Sequence, residues 1–111
     1  MKRIEEIVRS SDWSPRVRRE FFAHLEKRMK DDARVRYCVR KAGFLLRMND
    51  KRHATWALEL VTWASETFAK ASKEARASLL AERANALDAL GKKRSADASY
   101  RNAKRLKPDY A

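Results

Sequence analysis

The amino-acid sequence predicts an all-α protein, and three observations carry the prediction. Its 111 residues include only two Gly and two Pro, so the residue types that interrupt helices most strongly are scarce. Apolar residues recur at three- and four-residue intervals, the period of a helix face, and do not alternate as in a strand. Pro15, Gly91 and Pro108 fall at the edges of these periodic stretches, where helices are expected to start or stop. A chain of this length supports one modest core, so residues 1–111 are expected to form one domain of about five or six helices.

Residues 2–9 place Ile4, Ile7 and Val8 on one side of a short helix that Ser10-Ser11-Asp12 ends. An isolated helix this short is marginal, so its stability has to come from docking. Ser14 as N-cap and Pro15 at the first helical position start a second helix, with Val17, Phe21, Phe22, Leu25 and Met29 on its apolar face to about residue 30. At Lys30-Asp31-Asp32 either Asp can cap a new helix, yet no Gly or Pro forces a break. Residues 15–48 therefore read as two helices or as one long one. The stripe Val35, Cys38, Val39, Ala42, Leu45, Leu46 is rotated by roughly a quarter turn from the preceding one, at about 100° per residue, which favours the break.

Asn49-Asp50 is a turn signal, and a helix from His53 to about Ala71 follows. Ala57, Leu60, Val61, Ala64, Phe68 and Ala71 form its stripe, widened by Trp56 and Trp63, leaving a narrow polar strip at Glu59, Thr62, Glu66 and Lys70. A helix apolar over most of its circumference packs between neighbours. The last stretch holds a helix around Ala84 and Leu87, a turn at Gly91, and a helix through Ala96, Tyr100, Ala103 and Leu106 that Pro108 closes. Gly can take the left-handed conformation that ends a helix, and Pro cannot continue one. Small Ala96 and Ala103 beside large Tyr100 and Leu106 allow close helix approach.

A constant offset of 42 residues aligns Ala42, Leu45, Met48, Asn49, Lys51, Arg52 and Ala54 with Ala84, Leu87, Leu90, Gly91, Lys93, Arg94 and Ala96. The chain is thus expected to hold three helical hairpins over about 2–30, 32–71 and 73–107. Three is about the minimum for a stable stack of repeats. Residues 77–110 resemble a tetratricopeptide repeat: Ala96, Tyr100 and Pro108 match its second half, and Ala84 and Leu87 fit the small and large packing positions of its first. Leu80 stands where that family prefers Trp, Arg83 where it prefers Leu, and Glu66 where the preceding unit would close with Pro. The resemblance implies a right-handed stack of antiparallel hairpins serving as a binding scaffold.

Formal net charge is +12. Residues 1–52 hold 16 basic and 8 acidic side chains, residues 53–91 hold 4 and 5, and residues 92–111 hold 7 and 2. Charge of this size favours an anionic partner, whether nucleic acid, an acidic protein or anionic lipid. No apolar run approaches the ~18 residues of a membrane span, and Met1-Lys2-Arg3 leads into Glu5-Glu6 instead of a signal core, so a cytoplasmic protein is expected. Cys38 is the only cysteine, and His24 and His53 are the only histidines. An internal disulfide is therefore excluded, and a metal cage has too few ligands.

Arg36, Arg40 and Arg47, four and seven residues apart, project from one helix face, with Arg34 and Lys41 flanking the apolar stripe. The resemblance places this row near a concave groove, since the first helix of each hairpin lines the groove in that family. Arginine grips carboxylates and phosphates with a bidentate fork. Asn85 matches an asparagine used by peptide-clamping members, while Ala81 replaces their lysine. The turn clusters Lys51-Arg52 and Lys92-Lys93-Arg94 are expected on one edge of consecutive hairpins, where they would form a phosphate-facing rim. Trp13, Trp56, Trp63, Phe21, Phe22, Phe44 and Phe68 read as core more readily than as base-stacking platforms. Cys38 lies in an apolar stripe with no base beside it.

With no paired carboxylates, phosphate loop, nucleophile motif or metal spacing, a non-enzyme without cofactors is expected. Its leading reading is a protein-interaction module for an acidic protein or peptide. The alternative is a nucleic-acid-binding protein using the same surface. A weak homodimer through the last helix, around Tyr100, is a further expectation, because end repeats need a polar outer face to stay soluble.

Overall fold

The computed structural model describes residues 2–109. They form α1 (Ile4–Val8), α2 (Pro15–Leu25), α3 (Asp31–Leu46), α4 (Lys51–Thr67), α5 (Lys73–Ala89) and α6 (Lys93–Leu106), and no strand occurs among the described residues. The all-helical class predicted from composition and period is the class observed. Neighbouring helices pack as an all-α stack of hairpins: α3 on α4, α4 on α5 and α5 on α6, with α3 also against α5 and α1 against both α2 and α3.

The junction at residues 26–30 is a true break, because α2 stops at Leu25 and α3 starts at Asp31. Met29 therefore lies outside the helix that its spacing suggested. The cause is Arg34, whose Nε donates to Leu25 O at 2.7 Å and whose Nη2 donates to Lys27 O at 3.2 Å, while Nη1 meets Asp31 Oδ1 at 2.9 Å. One guanidinium satisfies carbonyls that the end of α2 leaves without partners. Similarly, α4 ends at Thr67, before the expected Ala71. There Arg76 Nε donates to Ala71 O, and Asp32 Oδ1 accepts from Ser72 N at 2.9 Å, which ties the start of α5 to the start of α3.

The other helix boundaries follow local chemistry. Ser14, Asp50 and Ser72 cap α2, α4 and α5 with side-chain oxygens. Gly91, at φ 78°, closes α5 in a Schellman arrangement: Lys92 N donates to Leu87 O and Gly91 N to Asp88 O. A side chain at Gly91 would be strained in that conformation. Asn49, at φ 56°, makes the corresponding turn between α3 and α4.

Two kinds of packing hold the stack. The main core joins Ile7, Val8, Phe21, Val35, Leu45 and Val61 with a chain of edge-on rings running Trp13–Phe21–Phe22–Trp63–Phe68. Between α5 and α6 the contact is a seam of alanines, Ala77, Ala81 and Ala103, flanked by Leu80 and Leu106. Ser99 is buried in that hairpin and donates its hydroxyl to Leu80 O at 2.8 Å.

Candidate functional site

The basic side chains of α3 divide by what they touch. Arg40 forms a bidentate pair with Glu5, Nη1 to Oε1 at 2.9 Å and Nη2 to Oε2 at 2.7 Å. These bonds hold the Glu5 carboxyl below its ordinary range. Arg47 lies over the Phe44 ring, 4.5 Å from its centroid. Arg36 is exposed and lines a groove between α3 and α5 with Asp32, Arg40, Glu74 and Ser78. That groove carries both signs of charge, and one of its two cations is neutralised by Glu5. The row is therefore not three free guanidinium groups.

Lys41, read from the sequence as a cation beside the apolar stripe, is completely buried. Its Nζ donates to Ile7 O at 2.7 Å, to Asp12 O at 3.0 Å and to Ser10 O, and it stands 5.6 Å from the Trp13 ring centroid. All three ammonium protons thus serve the carbonyls where α1 ends, so the side chain pins the N-terminal segment to α3. Burial lowers its pKa from 10.5 to about 8. Trp13, the aromatic least committed to the core by its sequence position, is buried beneath it.

The end of α5 lies beside the α3–α4 turn. Ala89, at the end of α5, shares a cleft of about 200 Å³ with Leu46, Asn49, Asp50, Lys51 and Ala54 of the α3–α4 turn. The α5–α6 turn follows Ala89 directly, so Lys51, Arg52, Lys92, Lys93 and Arg94 gather at one end of the stack. All five are exposed, and none makes an ion pair among the described residues. Arg52 lies 5.9 Å from the Trp56 ring centroid, and Met48 on the same turn is 45% exposed. The rim thus combines free cations with apolar surface.

Helix dipoles add to this charge. α4 and α6 both present their N-termini here, and neither has an acid in its first turn, although the positive end of a helix favours acids there. At α4 the Asp50 carboxylate partly compensates, accepting from His53 N and from His53 Nδ1, both at 2.8 Å. These bonds lower the Asp50 pKa. At α6 the N-cap is Lys92 and no side chain caps the helix. Its first N–H groups and three successive cations face the same solvent.

Asn85 stands apart from the rim. It is exposed on α5 and donates to Glu82 Oε1 at 3.2 Å. Cys38 is buried, which pushes its thiol up to about 12, well above the range of a reactive thiolate. Among the described residues no three His, Cys, Asp or Glu side chains gather to hold a metal, and no helix is long and apolar enough to cross a membrane. The sequence matches no family model, no curated protein and no solved structure.

Sequence reading missed the roles of Arg34 and Lys41 because helix C-termini have no lysine or arginine signature at a distance in sequence. It took Arg94 only as part of the Lys92-Lys93-Arg94 turn cluster and did not join it with Arg101 and Arg105 into one row on α6. Their spacings of seven and four reverse those of Arg36, Arg40 and Arg47, so the same test would have found them.

Proposed function

We propose that this protein is a non-enzymatic, tetratricopeptide-like interaction module that binds an acidic segment of another protein at the basic turn rim. One observation carries the reading: five exposed cations without ion pairs collect where two helix N-termini already place positive potential. Like charges so arranged destabilise the free protein, and an anionic partner relieves that cost. The mixed character of the rim favours a polypeptide over a bare phosphate chain. Protein interfaces need apolar anchors within the charged surround, and Met48, exposed on the α3–α4 turn, supplies one. The resemblance of residues 77–110 to a tetratricopeptide repeat supports the scaffold part of the reading. Weak self-association around Tyr100, 36% exposed on α6, belongs to the same reading and should disappear on Tyr100→Glu in a sedimentation series.

The test is capture of partners from native lysate, with and without nuclease, by the native protein and by the variant Lys51→Gln/Arg52→Gln/Lys92→Gln/Lys93→Gln. A polyglutamate peptide serves as the defined probe. The expected result is nuclease-resistant capture and peptide binding, both lost in the variant while helical content is kept. Capture abolished by nuclease, or peptide binding unaffected by the four replacements, rejects the acidic-protein reading of the rim.

A further inference from the structure

The outer face of α6 differs from the rim in one respect that changes the partner it fits. Helical geometry places Arg94, Arg101 and Arg105 in one line, with a span of about 16 Å at 1.5 Å per residue. Lys93 and Lys104 border the line, and all five are exposed without an ion pair among the described residues. Asp97 is the only acid in the helix. Tyr100 is the only large apolar side chain notably exposed there, and Lys104 Nζ lies 5.0 Å from its ring centroid. The inward face is occupied by the alanine seam and Ser99. This surface is cationic, straight and nearly free of apolar anchors.

We propose that the outer face of α6, through Arg94, Arg101 and Arg105, binds the phosphate backbone of duplex nucleic acid. Charge complementarity is the argument for this occupant. A duplex carries about one negative charge per 1.7 Å of its axis, so it offers phosphates along the whole length of the row. An acidic protein surface offers carboxylates less regularly and needs an apolar centre for affinity. Protein–nucleic-acid interfaces are by contrast polar and strongly positive. Arginine forks fit phosphate oxygens in a bidentate manner, and three guanidinium groups on a rigid helix face are held at a fixed spacing. Nothing on this face reads base edges, so the contact is independent of base sequence. The inference goes beyond the acidic-protein reading of the rim, and the two surfaces share only Arg94 and Lys93.

Fluorescence anisotropy with a labelled random 20-base-pair DNA duplex tests it, over roughly 50–200 mM salt. The native protein should bind with micromolar affinity at the low end, with log K falling linearly against log salt. The variant Arg101→Gln/Lys104→Gln/Arg105→Gln, which leaves the rim untouched, should bind at least about tenfold more weakly and show a slope shallower by about 2 to 3. Its affinity for polyglutamate should stay within about twofold of native, with far-ultraviolet circular dichroism verifying the fold. Arg105→Gln alone should lower the slope by about 0.9 and serves if the triple variant unfolds. Absence of duplex binding at 50 mM salt, an unchanged slope in the variants, or equal losses for duplex and polyglutamate would each overturn the proposal. Failure of polyglutamate to bind the native protein, with duplex binding intact, rejects only the rim reading.

Discussion

At one end of the stack α3 and α5 begin with Asp31, Asp32 and Glu74, whereas at the other α4 and α6 begin with Lys51, Arg52, Lys93 and Arg94. The first arrangement is the one that helix dipoles favour; the second opposes it. Partners differ in the same way. At the acidic end Asp32 accepts from Ser72 N, and Arg34 closes α2 with two carbonyls. At the basic end Arg52 lies near the Trp56 ring and the Asp50 carboxylate, and Lys51, Lys92, Lys93 and Arg94 are exposed without an ion pair among the described residues. Charge at the acidic end serves the fold, whereas charge at the basic end runs against the helix dipoles, relieved at α4 by the Asp50 cap. The difference teaches where to look for function: in charges that the fold does not use.

The largest expected effect lies with Lys41, the most completely internalised cation. Lys41→Met keeps the length but removes all donors to Ile7, Ser10 and Asp12. The buried Ile7 carbonyl left alone costs about 1–3 kcal/mol and the part-buried Ser10 and Asp12 carbonyls less, partly offset by relief of the buried charge, so a loss of roughly 2–4 kcal/mol at pH 7 is expected in urea unfolding. pH adds a sign. Because the folded pKa is lowered from 10.5 to about 8, the unfolded chain holds more protons between those values. Native stability relative to Lys41→Met should then rise from pH 8 to above pH 10, by a total on the order of 3 kcal/mol. A gap that stays level or narrows would mean that the three carbonyls, which favour the ammonium form, outweigh burial.

The second expectation reverses the basic end. Lys92→Asp/Lys93→Glu supplies α6 with a cap and a first-turn acid, so it should raise stability by about 0.5–2 kcal/mol. The same variant should lose polyglutamate binding at the rim. A gain in stability without a loss of binding would detach function from the frustrated charge, and a loss of stability would refute the dipole argument itself.

At the acidic end, Ser72→Ala removes the cap of α5 and should cost about 1 kcal/mol by thermal unfolding. No effect on polyglutamate binding is expected. The smallest effect is the titration of Asp32, whose carboxyl is lowered chiefly by its bonds with Ser72. A depressed folded pKa contributes stability above the ordinary aspartate range, and that contribution is lost as pH falls through the folded value. The native protein should therefore lose stability in acid more steeply than Asp32→Asn. Parallel acid titrations of the two proteins would show the Asp32–Ser72 tie to be idle.

Helix class, the turns at Asn49 and Gly91, and the caps Ser14 and Ser72 depend on contacts within a few residues. Period and composition were enough to predict the all-α class, and the basic turns were legible as runs of like charge. The break at residues 26–30 was only favoured from sequence, because the residue that enforces it, Arg34, acts backwards on the preceding helix. Tertiary structure decided which cations stay free. Glu5 reaches Arg40 across 35 positions and Ile7 O reaches Lys41 Nζ across 34, separations at which periodicity carries no information. A lysine in a pinned core and a lysine on a solvated turn look alike in sequence. They differ only in whether folding brings carbonyls to the ammonium group, which depends on how the helices dock.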